Sequence, residues 1–257
     1  MNTLSLAMRD SRTMVRRQLK RLVRYPSMTV QLVITPVIIL LLFVYVLGGT
    51  LGAGLGGGRD AYIDYVLPGI LLMAVSTGAT GTAVMVATDM TEGIIARFRT
   101  MRISRASVLT GHVIAAVIQQ ILGMVVVIAI ALAIGFRPHA TALDWLAAAA
   151  MLTLFALAIT WLSVALGLKS STPEAASNAP MPLILLPFLG SGFVPTDSMP
   201  TVLRWFAEYQ PFTPIMQTIR GLLLGTPIGN DAAIATAWCA GIALLSYLWA
   251  KHTFNKA

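Results

Sequence analysis

With 257 residues, of which 57% are hydrophobic and only 11% charged, and a mean hydropathy of +0.80, the chain is too apolar for a water-soluble domain, where about a quarter of residues are charged. Its formal charge of +8 has no soluble fold on which to gather as a nucleic-acid surface. The single cysteine, Cys239, excludes an intrachain disulfide and reads as a small packing residue.

A helix needs roughly 20 apolar residues to cross a hydrocarbon core about 30 Å thick. Six stretches qualify: Thr29–Leu47, Val66–Thr88, Val108–Ile134, Trp145–Leu168, Ala176–Phe193 and Ala232–Ala250. The pattern predicts an all-α membrane protein, a single transmembrane domain over residues 1–257 with six spans. None of the six carries Asp, Glu, Lys or Arg in its interior, so no ion relay is evident. With both termini cytoplasmic, 14 of the 18 basic residues fall on the inner side, and only Arg59, Arg137, Arg204 and Arg220 fall outside, as the positive-inside rule requires.

In chain order, Leu4, Met8, Val15, Leu19, Leu22 and Val23 line one side of a helix and Arg9, Arg16, Arg17, Lys20, Arg21 and Arg24 another. Residues 1–28 therefore read as a cytoplasmic amphipathic helix on the inner leaflet, retained because no cleavage site follows. Pro26 cannot continue that helix. After the first span, the glycine-rich run Gly48–Gly58 lacks a following Gly-Lys-Ser/Thr and reads as a flexible external linker, which leaves the chain without a nucleotide loop.

The second span is rich in small residues such as Ser76, Gly78, Ala79, Gly81 and Ala83, which allow close helix approach. Residues 89–107 follow as a basic cytoplasmic loop. In it Ile94, Ile95, Phe98 and Met101 share a side, so a short amphipathic helix is predicted from Glu92 to about Met101, with Glu92 at its positive end. We read this stretch as the place where the membrane body is held from the cytoplasm; the competing reading is a solvated loop whose arginines only set topology.

Gln119 and Gln120 in the third span want hydrogen-bond partners, most simply on a neighbouring helix, and His112 near its inner end reads as structural. Trp145 and Trp161 in the fourth span read as interfacial or lipid-facing anchors. Thr172 can cap a new helix with Pro173 and Glu174 in its first turn. The fifth span cannot be a straight rod, because Pro180, Pro182, Pro187, Gly190 and Gly192 interrupt it. Residues 194–231 form an outer re-entrant segment with two short helices hinged at Pro211 and Pro214 and an Arg204–Glu208 pair. Arg220, in an otherwise apolar helix, is expected to snorkel to water.

Two stretches carry a family resemblance. Glu92-Gly93, Arg97-Phe98-Arg99, Ile103-Ser104-Arg105 and Gly111 resemble the segment after the second span of ABC-2 type transporter permeases, with Ile94 where the family often has Thr and Arg102 where it often has Pro. Pro187, Gly190-Ser191-Gly192-Phe193, Pro195, Met199-Pro200, Pro211, Pro214, Arg220 and Gly225 are similar to its C-terminal signature. Within the family the chain most resembles the daunorubicin-resistance-type permeases of bacteria.

The resemblance implies a multi-pass protein of the bacterial cell membrane that exports a hydrophobic or amphipathic compound as a dimer. It implies partners in a second permease copy or paralogue, membrane lipids and separate cytoplasmic ATPase subunits, which bind ATP and Mg; this chain itself would hold no cofactor or metal. By the same resemblance Glu92, Gly93, Arg97, Phe98 and Arg99 form the coupling contact with the ATPase. The substrate path runs between protomers along helices one, two and five, with Thr77, Thr80 and Pro187 as lining candidates. Export of a lipid-linked polysaccharide is the alternative within this architecture. An intramembrane enzyme is disfavoured by the scatter of His112, His139 and His252, and a channel by the lack of charged pore rings.

The orientation is checked by thiol labelling. Gly56→Cys is expected to react with an impermeant reagent added from outside and Thr100→Cys is not; the reverse pattern would invert the topology.

Overall fold

The computed structural model describes residues 26–92 and 105–256, so the expected N-terminal amphipathic helix and residues 93–104 lie outside the described residues. Among those described, all regular structure is helical, and five helices are long and apolar enough to cross a membrane. The chain is a multi-pass membrane protein.

The first helix, α1 (Pro26–Leu41), passes through a π-helical turn (Leu42–Leu47) into α2 (Gly48–Ala53). The expected flexible linker is thus largely helical, and only Gly54–Gly57 turn. Gly52 explains the compactness, since a Cβ there would collide with the backbone of Gly58. The next helix, α3, runs 34 residues from Gly58 to Thr91, about 51 Å at 1.5 Å per residue. It begins earlier than the apolar run, with Asp60 in its first turn at the positive end of the dipole. The helix therefore contains Asp64 and Asp89, but 25 residues apart, about 38 Å, which does not make an ion relay.

Helices α4 (Arg105–Ala133) and α5 (Ala142–Lys169) match the third and fourth expected spans. A capping box starts α5: Asp144 N donates to Thr141 Oγ1 at 3.3 Å, and Thr141 N returns a bond to the Asp144 carboxylate at 2.9 Å. Gln120 Nε2 of α4 donates to Thr160 Oγ1 of α5 at 3.1 Å, the interhelical bond its sequence position called for. Trp161 is not a lipid-facing anchor. It is 9% exposed and packs edge-on against Tyr247, because α5 lies between α3 and the last long helix, α10 (Asp231–Lys256).

The stretch expected as a fifth span breaks into α6 (Pro173–Asn178), capped by Thr172 through a bond from Ala175 N, then α7 (Met181–Leu185), then consecutive turns through Phe193. The capping geometry also holds the Glu174 carboxyl below its usual range, through its own backbone N–H and the Thr172 hydroxyl. Beyond a single 3₁₀ turn (Thr196–Ser198) come α8 (Thr201–Tyr209) and α9 (Phe212–Leu224); they hinge at Pro211, but Pro214, expected to share the hinge, sits in the first turn of α9, where its missing N–H costs no helical bond. Gly225 closes α9 in the left-handed conformation, with φ 73°.

The core is organised on α3, which touches α1, α4, α5, α6, α7 and α9. Two glycines set its distances. A Cβ on Gly167 would sit 2.5 Å from the Ala83 carbonyl oxygen, and one on Gly69 would sit 2.8 Å from that of Gly192. Gly167→Val should therefore push α5 off α3 and destabilise the solubilised protein by about 1–3 kcal/mol. An unchanged melting temperature in detergent would show that the helices separate freely.

Candidate functional site

Proline has no N–H to donate, and a broken helix leaves carbonyls without ladder partners. Residues 186–193 pose this problem inside an apolar protein. Three side chains from elsewhere in the fold answer it. Gln210 Nε2, at the α8–α9 hinge, donates to Leu186 O at 2.9 Å; Arg220 Nη2 of α9 donates to Ser191 O at 2.9 Å; and the Tyr62 hydroxyl of α3 donates to Phe193 O at 3.2 Å.

Arg220 does more than satisfy one carbonyl. Its Nη2 also donates to Tyr65 O at 2.9 Å, its Nη1 donates to Gln217 Oε1 at 2.8 Å, and its guanidinium carbon lies 3.9 Å from the centroid of the Tyr65 ring. The expected snorkelling arginine is instead 8% exposed and ties α9 to α3 and to the broken segment. Its guanidinium finds acceptors inside the fold, on the Tyr65 and Ser191 backbone oxygens and the Gln217 side chain. Among the described residues no carboxylate pairs with it, so dipoles and a ring face carry the charge. By contrast, Arg204 forms exposed pairs with Glu208 and Asp197, both at 2.7 Å, which hold its pKa above the usual value.

The broken segment also meets the first helix. Phe43, within the π-helical turn, lies 4.6 Å from Phe193 between ring centroids, and Phe188 stacks on Phe193 at 4.2 Å with an interplanar angle of 3°. Phe188, Leu185, Leu189 and Met181 remain exposed. The broken segment thus presents Phe188 and aliphatic side chains to the surface, with Phe43 half-buried beside them and Phe193 buried against them.

Of the expected path residues, Thr77 and Thr80 are half-buried on α3, about two and three turns toward the inner end from Gly69. Their hydroxyls turn back to donate to Met73 O at 2.9 Å and Ser76 O at 3.2 Å. Pro187 is buried. Sequence reasoning missed Tyr62, Gln210 and the phenylalanines; the signal was the proline run itself, which implied open carbonyls and hence buried donors.

At the inner end, Glu92 is exposed and follows the last turn of α3, its N–H donating to Thr88 O at 2.9 Å. With respect to α3 it stands at the C-terminal end, where a carboxylate faces the unfavourable pole of that helix's dipole; the helix expected to start at Glu92 lies outside the described residues. Gly93, Arg97, Phe98 and Arg99 lie outside the described residues. His112 of α4 is not isolated: its Nε2 is 3.1 Å from Asp89 Oδ2, a partner the sequence placed at the loop edge.

A model of the ABC-2 type transporter family matches residues 9–224. The chain is 27% identical over 220 residues to the daunorubicin resistance ABC transporter permease protein DrrB1 of Streptomyces coeruleorubidus, covering 85% of this chain and 76% of that protein. It is 23% identical over 187 residues to the probable doxorubicin resistance ABC transporter permease protein DrrC of Mycobacterium tuberculosis, covering 73% and 68%.

If side-chain donors hold the broken segment, Tyr62→Phe should cost about 1–3 kcal/mol by orphaning the Phe193 carbonyl. Arg220→Lys should cost more, since an ammonium cannot bridge two carbonyls while lying flat on a ring. Thermal unfolding of the solubilised chain measures both, and equal melting points for wild type and Arg220→Lys would show that the segment needs no such clamp.

Proposed function

Because this chain belongs to the ABC-2 type transporter family, we propose that it is the permease subunit of an ATP-driven exporter of hydrophobic or amphipathic compounds in a bacterial cell membrane. The observation that carries the reading is the family match, which extends over 9–224 and so takes in both the inner loop and the outer re-entrant helices. ATP and Mg bind in separate ATPase subunits. The broken segment forms the fifth of six crossings, both termini are cytoplasmic, and two permease chains pair.

The substrate class is read from the uncharged surface of Phe188, Leu185, Leu189 and Met181 exposed on the broken segment, with half-buried Phe43 beside it and Phe193 buried against it. Flat aromatic surfaces favour planar or lipid-like molecules over ions and sugars. The two similar permeases carry daunorubicin and doxorubicin resistance in their names, which points the same way. Thr77, Thr80 and Pro187 contribute to the path mainly through the backbone positions they set, since two of them spend their hydroxyls on their own helix and the third is buried.

Glu92, Gly93, Arg97, Phe98 and Arg99 form the contact with the ATPase. An exposed carboxylate stands at the unfavourable end of the α3 dipole, and a basic groove on a partner would offset it. Removing one member of a desolvated interfacial charge pair costs about 2–5 kcal/mol. In a reconstituted complex, Glu92→Ala should leave insertion and dimerisation intact while abolishing substrate-stimulated hydrolysis and transport, with a milder loss in Arg97→Ala. Normal coupled export by the Glu92→Ala complex would reduce the loop to a topological anchor.

A further inference from the structure

Residues 89 and 112 stand on the two helices that lead into and out of the inner loop. Asp89 lies three residues before Glu92 on α3, and His112 lies seven residues into α4. Their side chains meet at 3.1 Å, and both are deeply buried, at 1% and 5% exposure. An acid and an imidazole so withdrawn from water are costly to bury and are tolerated where each satisfies the other. An apolar pair would fill the same space, so what the polar pair adds is a fixed direction and register between two helix ends.

The same stretch of α3 touches the other inner elements through small residues. Ala83 and Ala87 pack on Ala176 of α6, and the Ala83 carbonyl abuts Gly167 of α5. These contacts are short and directionless, and helices joined only by them can slide. The Asp89–His112 contact is directional, and it joins α3 to α4 within one turn of Glu92.

We infer that Asp89 and His112 are positioning residues that make the inner ends of α3 and α4 move as one body, so that displacement of the loop between them by the ATPase reaches both helices together. The consequence for coupling rests on the exporter reading above; the joining of the two helices does not. Neither residue touches substrate or nucleotide, and both act through the helices that carry them.

Two measurements test this on the full chain. In the first, the chain carrying Cys239→Ala is spin-labelled at Thr91→Cys and Ile114→Cys, both exposed positions on α3 and α4, and studied in lipid nanodiscs. The expected result is one narrow distance distribution that broadens about twofold or more in Asp89→Asn and in His112→Leu. It should narrow again in the exchanged pair Asp89→His with His112→Asp.

In the second, the complex with its ATPase is reconstituted and transport per ATP hydrolysed is compared. Each single variant should lower that ratio about tenfold while ATPase docking affinity stays within about twofold, and the exchanged pair should recover it. Unchanged distance widths, an unchanged ratio, or loss of docking in step with the ratio would each overturn the inference. So would an exchanged pair that folds and recovers neither readout. A wild-type complex that hydrolyses ATP without transport would instead sink the exporter reading and the coupling role with it, leaving the label distances to decide whether the pair joins the helices.

Discussion

Backbone oxygen atoms that have lost their helical partners cannot be left open inside an apolar protein, and the outer half of this fold is arranged around that constraint. The prolines that break the segment between α6 and the turn at Phe193 create the need, and Tyr62, Gln210 and Arg220 meet it from α3, the α8–α9 hinge and α9. Each donor in turn fixes something else. Tyr62 anchors the outer end of α3, Gln210 holds the hinge where α8 meets α9, and Arg220 locks α9 against Tyr65. A purely aliphatic version of this region would pack as well and leave several oxygens unsatisfied at about 1–3 kcal/mol each.

Much of the architecture was legible from composition because long apolar runs have few solutions in a bilayer. The helices α4, α5 and α10, the interruption near Pro180 and Pro187, the Thr172 cap, the Arg204–Glu208 pair and the Gln120 bond all follow from local chemistry. What was not legible depends on neighbours far away in sequence. Arg220 reads as a snorkelling charge until the open carbonyls of Tyr65 and Ser191 are placed beside it, 155 and 29 residues away. Trp161 reads as a lipid anchor until Tyr247 covers it. The glycine run reads as slack until Gly52 meets Gly58. The coupling role proposed for Glu92, Gly93, Arg97, Phe98 and Arg99 rests on the resemblance, and of these only Glu92, exposed at the end of α3, lies among the described residues.

The inner and outer halves use different kinds of contact, and this bears on how an exporter of this family divides its labour. Outside, three donors and a ring stack clamp an irregular segment, so rearrangement there breaks named hydrogen bonds. At the other end, alanine and glycine contacts join α3 to α5 and α6, and the directional Asp89–His112 contact joins α3 to α4.

The length of α3 carries a consequence of another kind. Between Asp64 and Asp89 the helix has 24 uncharged residues, about 36 Å of rise against a hydrocarbon core of about 30 Å. Either the helix leans or the surrounding lipid thickens to cover it. Because α1, α4, α5, α6, α7 and α9 all pack on α3, the thickness of the bilayer acts on most of the assembly through its inclination. Acyl-chain length in the host membrane is thereby a mechanical input to this protein, alongside whatever its partners supply.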